Sequence, residues 1–500
     1  MSIVGSIIVP HPPLMIPEVG RGEEKSIAQT TAAYEEAASF AASLQPETLI
    51  ISSPHSIMYR DYFHISKGTS ARGNLSAFGA PDVRFYEEYD TELVQEICRL
   101  ADQENFPAGI LGERDPLLDH GTMVPLYFLH RQWSSFGDQS SDCGRTSCTD
   151  TTANIKGANR RPPFRIIRIG LSGLSLEDHY HFGMLIQKAV ENLGRRVVYV
   201  ASGDLSHKLK SYGPYGYAKE GPAYDEQVMK VCGGGCFGGL FDFAPAFLEK
   251  AAECGHRSFV IMAGALDGRS VEAKVLSHQD VTGVGYGVCT FSVRGEDGSR
   301  HFLERRLQAE HARTESARKE EDAWTSIARF TIENFVQRGV IPAVSGDAAI
   351  CGAAKHPLPD ALLSNSAGVF VSIHEHGELR GCIGTILPTR ENIAEEIIQN
   401  AVSACSEDPR FSPVTRRELP YLALSVDVLG KPENIDGPEE LDVHRYGVIV
   451  SKGSRRGLLL PDLDGVDSVD QQIRIAKQKA GINPSEKDVT LQRFEVIRHH

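Results

Sequence analysis

The stretch VVYVASGDLSH, residues 197–207, opens with five consecutive strand-forming residues and breaks at Ser202, Gly203 and Asp204 before reaching His207. A short unbroken apolar run ended by turn residues is the pattern of a strand buried on both faces. The pattern recurs at SIIVPHPP (residues 6–13) and at TLIISSPHS (48–56), with a shorter run at Ile166–Ile169. Candidate strands are therefore Ser6–Val9, Thr48–Ser52, Ile166–Ile169 and Val197–Ala201. Helical patterns lie between them, at Ser26–Leu44 and Asp178–Leu193. Strands alternating with helices predict an α/β fold with a mixed, largely parallel sheet flanked by helices.

The second half reads differently. An apolar stripe of Trp324, Ile327, Ala328, Ile332, Phe335 and Val336 predicts a helix over Trp324–Arg338, stopped by Gly339. Strands are expected at Val369–His374 and Arg380–Ile386, then a helix over Glu391–Cys405. A hairpin is expected from Val448–Ser451 and Gly457–Leu460. This is an α+β pattern. Between the halves, residues 295–322 are dense in charge and poor in apolar residues, which reads as an interdomain linker. Residues 134–163 are small and polar, with no helical or strand period, and read as a flexible insertion. The expected organisation is 1–294, a linker over 295–322, and 323–500.

Composition narrows the function classes. Among 500 residues, 41% are hydrophobic and 24% charged, as in an ordinary globular chain. No run approaches the ~18 apolar residues of a membrane span. The apolar start at Ile3–Val9 has no basic lead and runs into His11, so it does not read as a signal peptide. Ten irregularly spaced cysteines are too few for a disulfide scaffold. A cytoplasmic chain with reduced thiols is expected. A net charge of −14 argues against a nucleic-acid partner.

Three histidines follow candidate strands closely: His11, His55 and His207. In open α/β sheets, ligands bind beyond the carboxyl ends of the strands. A fourth histidine, His120, sits in LLDHGTMVPL where an apolar segment opens. Any one of them reads as a loop histidine satisfied by backbone bonds. Four at similar topological points indicate a site. Two imidazoles and a carboxylate form the facial triad of non-haem Fe(II). Glu253, in ECGHRS, is a candidate for the carboxylate, with Asp204 and Asp119 as rivals.

Together VPHPPLMIPEVG, SPHS, LDHGTMVPL, SGDLSH and ECGHRS resemble the class III extradiol ring-cleavage dioxygenases of the LigB type, in particular their Memo-like branch. That resemblance implies His11 and His55 as metal ligands with Glu253 as the third. It implies His207 and His120 as an acid–base pair, Fe(II) as cofactor, and a catecholic or related aromatic substrate with O2. The Memo-like branch also carries a cysteine near the third-ligand position, and Cys254 adjoins Glu253, so both alignments stand. Without ring cleavage, the same resemblance implies a metal-binding or scaffold protein.

GVFVSIHEHGELRGCIGTILPT, ENIAEEIIQNAVSACSEDPRFSPVTRRELP and YGVIVSKGSRRGLLLP resemble the AMMECR domain over most of 323–500. Arg380 and Cys382 are its candidate site residues. Cys382 reads either as a thiol activated near Arg380 or as a small residue that packs, with the Arg-Gly-Cys-Ile-Gly run serving a tight backbone approach. Glu407, Asp408 and Arg410 read as lining the same groove or capping the preceding helix. Memo-like and AMMECR-like proteins are often encoded beside a radical SAM enzyme, which implies such a partner (the AmmeMemoRadiSam system).

Several motifs are set aside. Cys232-Gly-Gly-Gly-Cys236 lacks the third cysteine of a radical SAM cluster and reads as a flexible loop or lid. Gly283-x-Gly285-x-Gly287 opens no helix, so it is not a dinucleotide loop. His374-Glu375-His376 reads as an exposed hairpin tip rather than a metal site. No P-loop or Gly-x-Ser-x-Gly elbow is present.

Overall fold

The computed structural model describes residues 2–112, 117–137, 164–343, 358–463 and 465–500, leaving aside the side chains of 134–137. Beyond residue 137, the insertion expected at 134–163 lies outside the described residues. The chain divides into two compact units, Met1–Arg306 and Leu307–His500.

The first unit is built on β1 (Ile3–Val9), β2 (Thr48–Ser53), β3 (Arg165–Gly170), β4 (Val197–Ser202), β5 (Arg269–Gln279) and β6 (Tyr286–Glu296). Their order is β3-β2-β4-β1-β6-β5. The first four run parallel, and β6 is antiparallel to both β1 and β5. Every residue of β2 and β4 is buried, as their unbroken apolar runs require. One face of the sheet is covered by α1 (Ala28–Ser43) and α2 (His120–Gly137). Tyr34, Ala37, Val124 and Phe128 pack there with Ile7, Val9, Leu49, Ile51, Val198 and Val200. Further helices include α3 (Leu176–Leu193), α4 (Glu220–Gly234) and α5 (His256–Ala265). All residues from Ser258 to Ala265 are buried, so α5 is a core helix rather than an amphipathic surface one.

The run from Cys232 to Cys236 is not a loop. Helix α4 continues through Cys232 and Gly233 and ends after Gly234, where Gly235 takes φ +62° and its N–H bonds back to Cys232 O. Glycine suits that left-handed C-terminal position. The charged residues 295–322 finish β6, turn at Gly298–Arg300 and form α6 (Phe302–Glu320). Leu303 and Thr314 are buried, and the boundary between units falls within α6.

In the second unit, α7 (Ala323–Arg338), α8 (Ile393–Ser406) and α9 (Val469–Lys479) accompany an antiparallel sheet. Its main strands are β7 (Val369–Glu375), β8 (Glu378–Gly384), β9 (Leu422–Leu429), β10 (Tyr446–Lys452), β11 (Arg455–Leu459) and β12 (Thr490–His499). They lie in the order β8-β7-β9-β12-β10-β11. Ile327, Ile332, Ile397 and Ala401 bury one face against Val369, Val371, Ile373, Leu424 and Val426. The expected α+β pattern is this helix-covered sheet. His374-Glu375-His376 is not an exposed tip. His374 and Glu375 finish β7, and the half-buried His376 turns with φ +54°, bonded through Nδ1 to Glu310. Among the described residues, no helix is long and apolar enough to cross a membrane.

Candidate metal centre

Parallel pairing places the site. Val9 pairs with Ser202 and Ser52 with Ala201, so β2, β4 and β1 end level with one another. Two residues beyond each end, at Ser53, Ser202 and Val9, come His55, Asp204 and His11. Equal offsets from adjacent parallel strands bring three distant segments together at the carboxyl edge. His11 Nε2 and His55 Nε2 lie 3.0 Å apart. The His120 ring, on the first residue of α2, is centred 4.0 Å from that of His55 and 5.5 Å from that of His11. His11 is buried and His55 exposed, so His55 opens the group to solvent.

Ser202 fixes the tautomer of His11. Its hydroxyl donates to Gly121 O at 2.6 Å, which uses its only proton. Ser202 Oγ therefore accepts at 3.0 Å from His11 Nδ1–H. The lone pair is left on Nε2, facing His55, in the arrangement typical of metal-bound imidazole. Burial above all, then His55 and His120, pushes the His11 pKa well below its usual value. His11 is thus neutral, as a ligand must be. Nothing along the chain marks Ser202 beyond its place at the end of β4.

The third member of the group is Cys254. Its Sγ lies 3.7 Å from His11 Nε2, and ligand atoms of His11, His55 and Cys254 fall within 4.8 Å of one another. Gly203 and Gly255 permit this approach. A Cβ on Gly203 would sit 2.1 Å from Gly255 Cα, and Gly255 N–H donates to Asp204 O at 3.1 Å. Glu253 does not join either metal-capable group found among the described residues. Its Oε2 accepts from His256 N at 2.6 Å, satisfying an otherwise orphaned donor at the start of α5. Burial raises the Glu253 carboxyl to about 7 against the opposing pull of that hydrogen bond. Burial, then Asp204 and Glu253, pushes the Cys254 thiol well up, so it holds its proton until a cation compensates the charge.

Asp204, His207 and Cys254 form a second such group around the same sulfur. Asp204 accepts from His11 N at 2.9 Å through Oδ1, and its pKa is raised chiefly by burial. His207 stacks on the exposed ring of Tyr215, with centroids 5.1 Å apart. Burial lowers the pKa of both His207 and His120, while Asp204 opposes the shift at His207. Asp119 is committed to structure: it accepts from Ser53 Oγ at 2.5 Å and Thr122 N at 3.0 Å, pinning the start of α2 to the end of β2.

The second-unit candidates separate. Arg380 Nε pairs with Glu418 Oε1 at 2.5 Å and lies 4.0 Å from Glu375. Cys382 N donates to Asp408 Oδ2 at 2.9 Å, and Asp408 holds Arg410. Glu407 Oε2 accepts from Ser403 Oγ at 2.7 Å, on the helix side. Asp408 and Arg410 thus stand with Cys382, while Arg380 and Glu407 are engaged elsewhere.

A family model described as the catalytic LigB subunit of aromatic ring-opening dioxygenase matches residues 5–289. The chain belongs to this family. A second model, AMMECR1, matches residues 325–499, so the chain joins a LigB domain to an AMMECR1 domain. A Clostridium acetobutylicum protein is 37% identical over 512 aligned residues, covering 100% of this chain and 99% of its own. A Thermotoga maritima protein is 48% identical over 169 residues, 34% of this chain and 91% of its own. Among solved structures, an uncharacterised Pyrococcus horikoshii protein aligns with TM-score 0.31 and 29% identity over 36% of this chain and 91% of its own. An uncharacterised Escherichia coli protein aligns with TM-score 0.35 and 11% identity over 57% and 99%.

Proposed function

We propose that the LigB domain binds one transition-metal ion through His11 Nε2, His55 Nε2 and Cys254 Sγ and serves metal-dependent redox chemistry. The observation that carries this reading is the thiol of Cys254, rather than the carboxylate of Glu253, beside His11 Nε2. The spacings fit an ion. Bonds of ~2.1 Å to nitrogen and ~2.3 Å to sulfur separate ligands by roughly 3.4–3.6 Å in a tetrahedral site, against 3.0 and 3.7 Å here. When bound, the ion supplies redox and Lewis-acid chemistry. Two imidazoles suit Fe(II), and a thiolate shifts the preference towards Cu(I). Ser202 orients His11. His120 and His207, both neutral near pH 7 by burial, are placed to accept a proton from a bound molecule.

Ring cleavage of a catecholic substrate by Fe(II) and O2 is the second reading. It is favoured by the LigB match over residues 5–289 and by the neutral His120 and His207 beside the ligands.

Anaerobic metal analysis of the full chain tests both readings. His11→Ala and His55→Ala are expected to lose most of the metal while keeping the fold, since each lies just beyond a strand end. Cys254→Ala is expected to lose it too, and Glu253→Gln to keep it. Metal retained in Cys254→Ala but lost in Glu253→Gln restores the carboxylate triad. Full occupancy in both histidine variants removes the site. Oxygen uptake by the iron-loaded chain with a catechol panel separates ring cleavage from the broader redox role.

A further inference from the structure

Residue 168 interrupts the apolar run of β3 with a charge. Arg168 stands between Ile167 and Ile169, pairs with Ile51 on β2, and is 0% exposed. Burying a cation costs free energy unless carboxylates and hydrogen-bond acceptors compensate it. Arg168 donates from Nε to Ser66 Oγ at 2.7 Å and from Nη1 to Leu117 O at 2.6 Å. Nη1 also lies 3.5 Å from Oδ2 of Asp119, whose side chain is 10% exposed. Buried ion pairs add little net stability over well-packed apolar side chains, and an aliphatic residue would have continued the run. What this pair adds is a fixed place for Asp119.

Two hydrogen-bonded routes lead from Asp119 to two imidazoles. In the first, Asp119 Oδ1 accepts from Ser53 Oγ at 2.5 Å, and Ser53 Oγ accepts from His55 N at 3.2 Å. In the second, Asp119 grips the first turn of α2. Its Oδ1 accepts from Thr122 N at 3.0 Å and its Oδ2 from Thr122 Oγ1 at 2.9 Å. Inside that turn, Gly121 O accepts from Ser202 Oγ at 2.6 Å, which commits the hydroxyl that orients His11 Nδ1. The routes pass each other at Gly121, where a Cβ would lie 2.4 Å from Ser53 Oγ and 3.1 Å from Asp119 Oδ1. One carboxylate thus sets the backbone of His55 and the ring of His11 together.

We propose that Arg168 is a positioning residue of the metal centre, anchoring Asp119 and through it both imidazole ligands. It touches neither imidazole. The role rests on the metal-binding reading, whereas the hydrogen bonds that carry it hold in the metal-free chain. Arg168→Met keeps a long unbranched side chain and removes the charge. Asp119 then loses this cation in a buried setting, and both routes loosen at their common origin.

Nitrogen NMR of the full chain, labelled at histidine and with no metal added, tests the anchor. Imidazole nitrogen shifts report which ring nitrogen holds the proton. In Arg168→Met the His11 and His55 signals are expected to move, and His11 to lose its single tautomer. His278, on β5 at the opposite edge of the sheet, is expected to keep its signal. Chelator competition is expected to show metal affinity ~10–100-fold weaker, the usual loss when an outer partner of a ligand is removed. Ser53→Ala cuts only the first route and is expected to move His55 more than His11. A folded Arg168→Met chain with both imidazole signals unmoved overturns the proposal, even if its urea midpoint falls. So does Ser53→Ala with both signals unchanged, which decides the matter if Arg168→Met fails to fold. Signals that respond as expected in a chain that binds no metal support the anchor and remove only the metal-binding reading.

Discussion

The two domains gather reactive side chains by different geometric routes. In the LigB domain, His55, Asp204 and His11 project from three neighbouring parallel strands that end level, and Cys254 joins them across the contact of Gly203 with Gly255. In the AMMECR1 domain, Ser372 and Cys382 meet as cross-strand partners on one face of an antiparallel sheet, and the paired Asp408 and Arg410 close on the backbone of Cys382. The first arrangement depends on loops held by backbone approach, so one added carbon breaks it. The second depends on strand register and charge, so neutralising single residues grades it.

The sharpest way to break the first arrangement is Gly203→Ala. The new Cβ would lie 2.1 Å from Gly255 Cα, where backbone must move. Overpacking of this kind costs ~1–3 kcal/mol or more. Chemical denaturation is expected to show that loss in the first unit together with loss of bound metal, while alkylation of Cys382 stays unchanged. Equal damage to both domains would make the contrast between them false. Ser202→Ala probes the same site more gently. It removes the acceptor for His11 Nδ1–H without touching a ligand atom, and losing such a partner costs ~10–100-fold in metal affinity. Competitive chelator titration reads the change, and an affinity equal to that of the unaltered chain would leave the His11 tautomer without a structural cause.

The smallest effect, read per pH unit, concerns charge in the AMMECR1 domain. Burial first, then Glu418, raises the Glu375 carboxyl to about 8, with His376 and Arg380 opposing. An unfolded glutamate titrates near ~4.3. Between these values the folded form holds a proton that the unfolded form has lost, so Glu375 makes stability fall as pH rises through this window. The slope is at most about 1.4 kcal/mol per pH unit for one proton. Glu375→Gln mimics the protonated side chain and is expected to flatten the dependence of second-unit stability on pH. Urea denaturation across that range measures it, and an unchanged slope would assign the pH dependence to other groups.

Much of the scaffold was legible in the sequence. The runs ending at Val9, Ser52, Ile169 and Ala201 lie inside the observed strands, because burial on both faces demands uninterrupted apolar residues. The stripe from Trp324 and the stop at Gly339 locate α7, because apolar spacing and a left-handed glycine are local signals. The spacing of histidines after strands also indicated the site. Local signals failed at Cys232–Cys236, where a glycine run that reads as a loop continues a helix packed into its surroundings.

By itself, then, the sequence determined the alternation of elements in the first half, the helix-covered strands of the second, and the histidines His11, His55, His120 and His207 as candidates. Tertiary structure set which of Glu253 and Cys254 faces the histidines. The two are adjacent, and no pattern along the chain tells which side chain turns inward. The carboxylate bonds to His256 N at the start of α5, and the close passage of Gly255 against Gly203 turns the thiol to His11. Tertiary structure also gave Cys382 its neighbours, setting Asp408 and Arg410 beside it while Arg380 pairs with Glu418. Periodicity reports which face a residue occupies, and only the packed chain brings His11 and Cys254, 243 positions apart, to one site.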